Sequence, residues 1–156
     1  MAKSGFSLVE LIMAMAVLVL LCGIFTTGML DYLPGYRLDN AGRELLQSFR
    51  RARFEAVKRN ARVVLDFNQT GNNYRMFIDR DENFSLDSTD MLLGSTDLHN
   101  AVDISEAVFS FGYTESGFDP RGLPASNRIG HVALQADSGE ELEVVLSMAG
   151  KVNIDK

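Results

Sequence analysis

Cysteine and histidine are scarce in this chain of 156 residues, which contains one of the former and two of the latter. The single Cys22 cannot form an intrachain disulfide, and inside an apolar run we expect it to act as a small hydrophobe. His99 and His131 have no cysteine neighbour and no histidine partner at helical spacing. Zinc sites and histidine-based nucleophilic sites therefore have almost no ligands or bases available.

Motifs of familiar catalytic sites are also missing. The chain has no phosphate-binding glycine loop and no G-x-S-x-G nucleophile elbow. Its carboxylates are abundant, but spacing alone does not identify an acid/base pair among them. We therefore predict that the protein is not an enzyme, carries no cofactor or catalytic metal, and has no small-molecule substrate.

Positive charge is in short supply, since the formal net charge is −6. This balance disfavours a general nucleic-acid-binding surface. Basic residues nevertheless concentrate in one stretch, at Arg50, Arg51, Arg53, Lys58, Arg59 and Arg62. The stretch could neutralise phosphates, which keeps DNA binding as an alternative, or it could be a solvated helix face paired with Glu44 and Glu55. We favour the solvated face.

A long apolar run follows a five-residue hydrophilic leader. Residues 6–30 carry a single charge, on Glu10. A helix of this length would extend roughly 37 Å at ~1.5 Å per residue, enough to cross a hydrocarbon core of about 30 Å. A carboxylate inside such a segment is costly, so we treat Glu10 as a functional residue that needs a cationic partner.

Cleavage between Gly5 and Phe6 would create that partner. The new α-amine of Phe6 would be largely cationic at neutral pH and would lie about one helical turn from Glu10. The carboxylate would also lie near the helix N-terminus, where the helix dipole favours an anion. Because both groups lie at nearly the same depth, Glu10 of one chain could equally neutralise the amine of a neighbour. Charge burial would then be coupled to assembly.

The junction resembles the class III signal of type IV pilins and pseudopilins, because a short lysine-containing leader precedes the sequence GFSLVELI at residues 5–12. The resemblance implies cleavage after Gly5 by a prepilin peptidase, N-methylation of Phe6 and a role for Glu10 in assembly. A general secretory signal has a shorter apolar core with an A-x-A-like site behind it. An ordinary single-pass anchor requires neither the Gly-Phe junction nor Glu10. We therefore favour the pilin signal.

The rest of the sequence predicts a helix followed by antiparallel sheet. Apolar residues recur at steps of three and four at Leu38, Ala41, Leu45, Phe49, Ala52 and Ala56, which predicts an amphipathic helix over residues 34–60 after a kink near the Pro-Gly pair at 34–35. From Arg62 the period changes from 3.6 to two, which predicts a hairpin of residues 62–68 and 74–79. Further strands are expected at residues 91–93, 108–113, 131–136, 142–147 and 152–154, with an irregular loop at 116–124.

Three later segments resemble the GspH/FimT family of minor pseudopilins: residues 53–60, the Phe-Asp-Pro-Arg-Gly loop at 118–122, and residues 147–152. The resemblance implies an α+β, pilin-like fold with a long N-terminal helix packed on antiparallel β-sheet, which agrees with the periodicity. We divide the chain into a prepilin leader (1–5), a transmembrane and filament-core helix (6–33), an amphipathic helix (34–60) and an antiparallel β domain (61–156). Related chains often place arginines after the glycine of the last segment, whereas Lys151 follows Gly150 here, which weakens any inference of an anion site.

The predicted function is that of a minor pseudopilin or pilin, a structural subunit of a type II secretion pseudopilus or a type IV pilus. The alternative is a DNA-binding minor pilin of a DNA-uptake pilus. The resemblance implies as partners other pilin or pseudopilin subunits, the prepilin peptidase and the assembly machinery of the inner membrane. It also implies a single-pass inner-membrane precursor with a cytoplasmic N-terminus and a periplasmic C-terminal domain, assembled later into a periplasmic pseudopilus or surface pilus.

An acidic loop offers one pattern of possible metal ligands. Oxygen-bearing side chains fall at positions 1, 3, 5, 7, 9 and 12 of a twelve-residue window, namely Asp79, Asp81, Asn83, Ser85, Asp87 and Asp90. This is the spacing of an EF-hand calcium loop, although Phe84 occupies the sixth position, where glycine is usual, and Asp90 replaces the usual glutamate. Loops of this composition also form hairpin turns without an ion. Bound calcium and a plain loop therefore both remain open.

Overall fold

The computed structural model describes residues 7–30 and 33–155 of the chain. The chain divides into two compact units between Leu33 and Pro34. The first unit contains helix α1 (Leu8–Leu30), and the second contains nearly all of helix α2 (Leu33–Arg59) together with eight β-strands. Residues 31 and 32, where part of the kink was predicted, lie outside the described residues.

Helix α1 is apolar on every side. Its large apolar side chains between Leu8 and Leu21 are 49% to 74% exposed, and Glu10 is the acid of its first turn. A helix with no polar face is normally covered by other helices or by lipid. Within the described residues, no helix reaches the combination of length and hydropathy expected of a membrane-crossing segment.

Helix α2 buries a single stripe. Pro34 is its second residue, a position where a fixed φ and a missing N–H are tolerated. The buried residues are Leu38, Ala41, Gly42, Leu45, Phe49, Ala52 and Ala56, so the predicted face is confirmed with one addition. Gly42 belongs to this face because a Cβ there would lie 2.6 Å from the Leu142 side chain. Asn60, at a φ of 50°, follows the end of the helix.

Within residues 7–30 and 33–155, eight strands form two antiparallel sheets of four strands each. Their bounds are β1 Arg62–Asn68, β2 Asn73–Asp79, β3 Met91–Asp97, β4 Val102–Phe109, β5 Glu115–Phe118, β6 Gly130–Ala136, β7 Glu141–Leu146 and β8 Val152–Asp155. The first sheet has the order β3-β2-β1-β5 and the second the order β4-β6-β7-β8. The predicted α+β layout of a helix on antiparallel sheet is confirmed. The structure adds that the strands form two separate sheets rather than one.

Aromatic rings join α2 to both sheets. The Phe67 ring of β1 lies 5.9 Å from the Phe49 ring of α2 and 5.9 Å from the Phe109 ring of β4, measured between ring centres. Stacked and edge-on aromatic contacts of this kind add to the energy of burial. The opposite face of the first sheet contributes Val64 and Phe77 to a second, smaller apolar cluster. The core therefore holds the helix and both sheets together.

Two strand predictions are wrong in their bounds, and one strand was not predicted. Strand β3 continues to Asp97, and β4 lies at residues 102–109 because Phe111 and Gly112, with φ of 71° and 78°, take the chain out of the extended conformation. Strand β5 lies partly in the stretch predicted to be an irregular loop. Its Gly117 makes this pairing possible, since a Cβ there would lie 2.2 Å from the Val63 carbonyl oxygen.

Candidate assembly site

Glu10 lies at the third position of helix α1. The Leu11 N–H donates to the Ser7 carbonyl at 3.2 Å, which makes Ser7 the N-cap and Glu10 the N3 residue. Ser-x-x-Glu is the capping-box pattern, in which the N3 carboxylate satisfies a free N–H at the helix start. Glu10 is also exposed, so a cation outside the helix can reach it. Gly5 and Phe6, the predicted cleavage and methylation residues, lie outside the described residues.

Asp79 anchors the acidic loop that connects β2 to β3. Its side chain is buried, with 1% of the residue exposed. The two carboxylate oxygens accept hydrogen bonds from the backbone N–H groups of Asn83 and Phe84, each at 3.1 Å. The Arg62 guanidinium lies 3.4 Å from the same carboxylate. The first position of the predicted calcium window therefore has a structural role that needs no ion.

Three of the six predicted ligands come together. Asp79, Asp81 and Asp90 each place one carboxylate oxygen within 4.8 Å of the others, an arrangement that could hold a hard cation. Desolvation and the neighbouring carboxylates raise the pKa of Asp81. Asn83 instead donates its side-chain amide to Asp81 at 2.7 Å and to Asp87 at 3.1 Å. Ser85 is exposed.

Phe84 explains why the sixth position of this window is not glycine. Its backbone has the positive φ that glycine normally supplies, 65°, and its side chain is buried. The Arg128 guanidinium lies 3.6 Å from the centre of the Phe84 ring and 3.7 Å from that of Tyr113. Arg128 also pairs with Glu115. This stack fixes the acidic loop to the first sheet. The corresponding sign in the sequence is that Phe84 is the one aromatic residue of the loop at residues 80–90.

The basic residues of α2 are divided among several partners. Arg59 Nε contacts Glu55 at 2.5 Å, and this hydrogen bond is the main reason why the pKa of Glu55 is lowered. The Lys58 ammonium lies 5.6 Å from the centre of the Phe54 ring. Arg53 donates to the Gly150 carbonyl oxygen at 3.1 Å. Much of the basic stretch is thus engaged within the chain, as expected of a solvated helix face with local partners.

Asp119 organises the Phe-Asp-Pro-Arg-Gly loop. Its carboxylate accepts from the backbone N–H groups of Arg121 and Leu123 at 2.9 and 3.0 Å, and from the Arg121 guanidinium at 2.7 and 2.9 Å. Partial burial opposes the ionised form, but these hydrogen bonds outweigh it and lower the pKa of Asp119.

Two glycines close this loop on the C-terminal turn. Gly122 and Gly150 have φ of 77° and 70°, and a Cβ on Gly150 would lie 2.7 Å from the Gly122 carbonyl oxygen. A Cβ on Gly122 would lie 3.1 Å from Arg53 Nε. The three segments that resemble the GspH/FimT family therefore meet at one place. Their spacing in the sequence gives no sign of this contact.

Comparison with known proteins agrees with this arrangement. The family model described as type II transport protein GspH matches residues 41–150. The pilin-like protein PilA1 of Thermus thermophilus is 30% identical over 162 residues, which cover 99% of this chain and 100% of PilA1. The match to PilA1 thus includes the N-terminal helix.

Two solved structures share the fold. The type IV minor pilin FimU of Pseudomonas aeruginosa superposes with a TM-score of 0.60 at 16% identity, over 80% of this chain and 92% of FimU. The minor pseudopilin EpsH from the type 2 secretion system of Vibrio cholerae gives 0.58 at 10% identity, over 76% and 96%. With the fold, the family match and the curated relative in agreement, the chain belongs to the GspH family and is a pilin-like structural subunit, a minor pseudopilin of the GspH/FimT type.

Proposed function

We propose that this protein is made as a precursor and enters a short filament through helix α1. The observation that carries the proposal is that α1 exposes large apolar side chains on every side and has its acid, Glu10, in the first turn. Apolar surface of this extent requires a cover of lipid or of other apolar helices. In the unprocessed chain, lipid would cover α1. In the filament subunit, other apolar helices would cover it.

Processing would create the charge that Glu10 needs. We propose that prepilin peptidase removes residues 1–5 by cutting between Gly5 and Phe6, and that Phe6 is then N-methylated. Methylation keeps the positive charge of the amine. Glu10 would neutralise this amine in its own chain or in a neighbour, so that an isolated carboxylate is not buried among apolar helices.

The family supports a proposal for the location. Pilins and pseudopilins assemble with other pilin-type subunits, on the periplasmic or extracellular side. For this chain we propose a single-pass precursor in the inner membrane, held by residues 6–33, with its C-terminal domain in the periplasm and the assembly machinery of that membrane as a partner. FimU is a type IV minor pilin and EpsH a minor pseudopilin of a type 2 secretion system, and for this chain we propose a filament of one of these two kinds. The proposed role is structural rather than enzymatic.

Replacing Gly5 with alanine tests the processing step. The variant should accumulate as a precursor that is heavier by the leader in intact-mass analysis of the membrane fraction. A matched change within the leader, Ser4→Ala, should leave processing intact. A mature chain that begins anywhere other than Phe6 would contradict the proposal.

Two substitutions of Glu10 separate its charge from its capping role. Glutamine at N3 can still complete a capping box, whereas alanine cannot. If charge neutralisation drives assembly, Glu10→Gln and Glu10→Ala should both be cleaved normally and both fail to co-isolate with other pilin subunits. If Glu10→Gln co-isolates normally and Glu10→Ala does not, the charge is not needed, and capping would be the only role of this residue.

A further inference from the structure

The turn that joins β1 to β2 contains a sequon for N-linked glycosylation. Residues 68–70 have the sequence Asn-Gln-Thr, which fits the acceptor pattern Asn-x-Ser/Thr with no proline in the middle. A second sequon, Asn-Phe-Ser at residues 83–85, lies in the acidic loop at the other end of β2. Both carry an aspartate two residues before the asparagine. Because two such closely matched patterns occur in one chain, their structural surroundings decide which asparagine can react.

Glycan transfer sets two requirements for an acceptor asparagine. The side-chain nitrogen attacks C1 of the first sugar of a glycosyl polyprenyl diphosphate. The bond from Nδ2 to C1 forms, Nδ2 loses one proton, and the bond from C1 to the diphosphate oxygen breaks, so that polyprenyl diphosphate leaves with the electron pair. No oxidant or reductant takes part. The asparagine must therefore lie on the surface, and its amide nitrogen must not be engaged within the fold.

Asn68 meets both requirements. It is the last residue of β1, and residues 68–71 are all exposed. The side-chain oxygen of Asn68 accepts the Gly71 N–H at 3.0 Å, whereas its amide nitrogen donates to no residue of 7–30 or 33–155. Gly71 leaves this nitrogen accessible, because a Cβ there would lie 2.6 Å from it. The amide and the nearby hydroxyl of Thr70 are thus both available to an enzyme.

A neighbouring asparagine holds the turn in place. Asn72 donates its side-chain amide to the Val102 carbonyl oxygen and to the Asp103 carboxylate, both at 2.8 Å. Its side-chain oxygen accepts the Ile104 N–H at 3.0 Å. These three bonds attach the turn to β4. The residue that fixes the turn is therefore different from Asn68, the residue that would react.

Asn83 meets only the first requirement. It is exposed, but its amide nitrogen donates to Asp81 at 2.7 Å and to Asp87 at 3.1 Å. Its side-chain oxygen accepts the backbone N–H of Ser85 at 2.6 Å. The middle residue of this sequon, Phe84, is buried in the cation–π stack of the acidic loop. Reaction at Asn83 would therefore require the loop to open.

We propose that Asn68 is an acceptor site for an N-linked glycan, an inference that rests on the proposed periplasmic location of the C-terminal domain. The donor is a glycosyl polyprenyl diphosphate, and the partner is an enzyme of the oligosaccharyltransferase class. Asn83 is the unreactive sequon of the folded chain. Because Asn68 is exposed, a bulky and hydrated glycan can be added there without displacing the core.

Glycan transfer to the purified protein tests the site. The full chain in detergent is incubated with an oligosaccharyltransferase and its glycosyl polyprenyl diphosphate, beside synthetic peptides of residues 64–72 and 79–87. Both peptides should be modified, because neither is folded. The folded chain should gain the mass of one glycan, located on Asn68 by peptide mapping. Transfer to Asn83 should be at least about tenfold slower than in its peptide, since it requires local opening.

Two outcomes of this experiment would overturn the proposal. In the first, the peptide of residues 64–72 reacts but the folded chain stays unmodified at Asn68. In the second, this peptide does not react at all, so that residues 68–70 are not a substrate for the enzyme. A folded chain that is modified as fast at Asn83 as at Asn68 would contradict the structural distinction between the two sequons.

Substitutions within the two sequons provide matched controls. Asn68→Gln and Thr70→Ala should each abolish the mass increase, whereas Thr70→Ser keeps the hydroxyl and should retain it. Asn83→Gln should leave transfer unchanged. Because Asn68 and Thr70 are exposed, the unfolding midpoints of their variants should change little. A glycan that persists in Asn68→Gln would contradict the proposal.

The same measurement in cells separates this site from the filament function. Intact mass of chains made with and without the transferase reports both the glycan and cleavage at Gly5-Phe6. In a Cys22→Ser background, labelling of Ser88→Cys by a membrane-impermeant maleimide reports whether the exposed acidic loop is periplasmic. A processed and labelled chain that lacks the glycan counts against Asn68 alone. A chain that is neither processed nor labelled counts against the proposed function and removes the location on which this inference rests.

Discussion

The two compact units treat apolar surface in opposite ways. Large apolar side chains of α1 are 49% to 74% exposed from Leu8 to Leu21, whereas Leu45 and Phe49 of α2 are 1% and 0% exposed. Both helices exceed twenty residues, so length does not explain the contrast. The spacing of the apolar residues explains it. An apolar stripe at steps of three and four can be covered by the sheets of the same chain, whereas a helix that is apolar all round needs other molecules to cover it. Intrachain packing stabilises the second unit, and intermolecular packing is the proposed task of the first.

The strongest test of the closed core is Phe49→Ala. The Phe49 ring contacts the rings of Phe67 and Phe118 at centre distances of 5.9 and 6.4 Å, and none of it is exposed. Deleting a buried phenylalanine leaves a cavity and costs about 3–5 kcal/mol. Urea unfolding of the processed full chain in detergent, followed by far-UV circular dichroism, should show this loss.

Phe54 on the same helix is the matched control. It is 61% exposed, and its contact with Lys58 is an exposed cation–π pair. Phe54→Ala should therefore cost less than about 1 kcal/mol. Similar losses for the two variants would mean that α2 does not bury one stripe, and the contrast between the two helices would be lost.

A second intrachain contact is tested by Asp79→Ala. The substitution removes a buried acceptor from two backbone N–H groups and leaves the Arg62 guanidinium without this partner. We expect a loss of about 2–4 kcal/mol in the unfolding free energy, because buried donors without an acceptor are costly. The loss should be the same in a chelator and in excess calcium, since all of these bonds lie within the chain.

Asp81→Asn serves as its control in the same loop. The raised pKa of Asp81 means that its ionised form opposes folding above the unfolded pKa. Neutralising it should therefore not destabilise the chain at pH 7 in a chelator. A calcium-dependent rise in the unfolding midpoint that disappears in Asp81→Asn would instead assign a cation to Asp79, Asp81 and Asp90.

Period and spacing predicted most of the fold. The six residues from Leu38 to Ala56 that were predicted to share a helical face are all buried, and the first hairpin pairs as expected. The strand that was missed, β5, depends on a partner distant in the sequence. Strand β5 has only four residues, and its Gly117 is explained by the close approach of Val63. Local alternation cannot show such a contact.

The residues of the candidate site also differ in whether the local sequence indicates their role. Glu10 follows from the sequence because one acid in an apolar run is a local anomaly. The stack of Arg128 on Phe84, by contrast, joins residues 44 positions apart, and the meeting of Arg53 with Gly150 joins residues 97 positions apart. No local pattern indicates either pair. Phe111 was predicted to lie in a strand, and its exposed, left-handed conformation became evident only in the structure.

A smaller effect is expected at Asp119, where pH is the probe. The pKa of Asp119 is lowered in the folded chain, so its ionised form contributes stability that is present above the unfolded pKa of about 3.9 and lost as pH falls through the folded pKa. Asp119→Asn should lower the unfolding midpoint at pH 7, and the difference from the natural chain should shrink as pH falls below about 4. A difference that is constant with pH would show that the loop depends on shape and not on charge.

The smallest effect on folding is expected in α1 itself. Leu18 is 59% exposed, so Leu18→Ala should change the unfolding free energy by no more than about 0.5 kcal/mol, whereas Leu45→Ala in α2 should cost about 2–5 kcal/mol. Co-isolation with other pilin subunits should respond in the opposite sense, since Leu18 would be covered only in the assembly. A loss of folding stability in Leu18→Ala equal to that in Leu45→Ala would mean that α1 is already packed within its own chain. The distinction between an intrachain and an intermolecular helix would then be wrong.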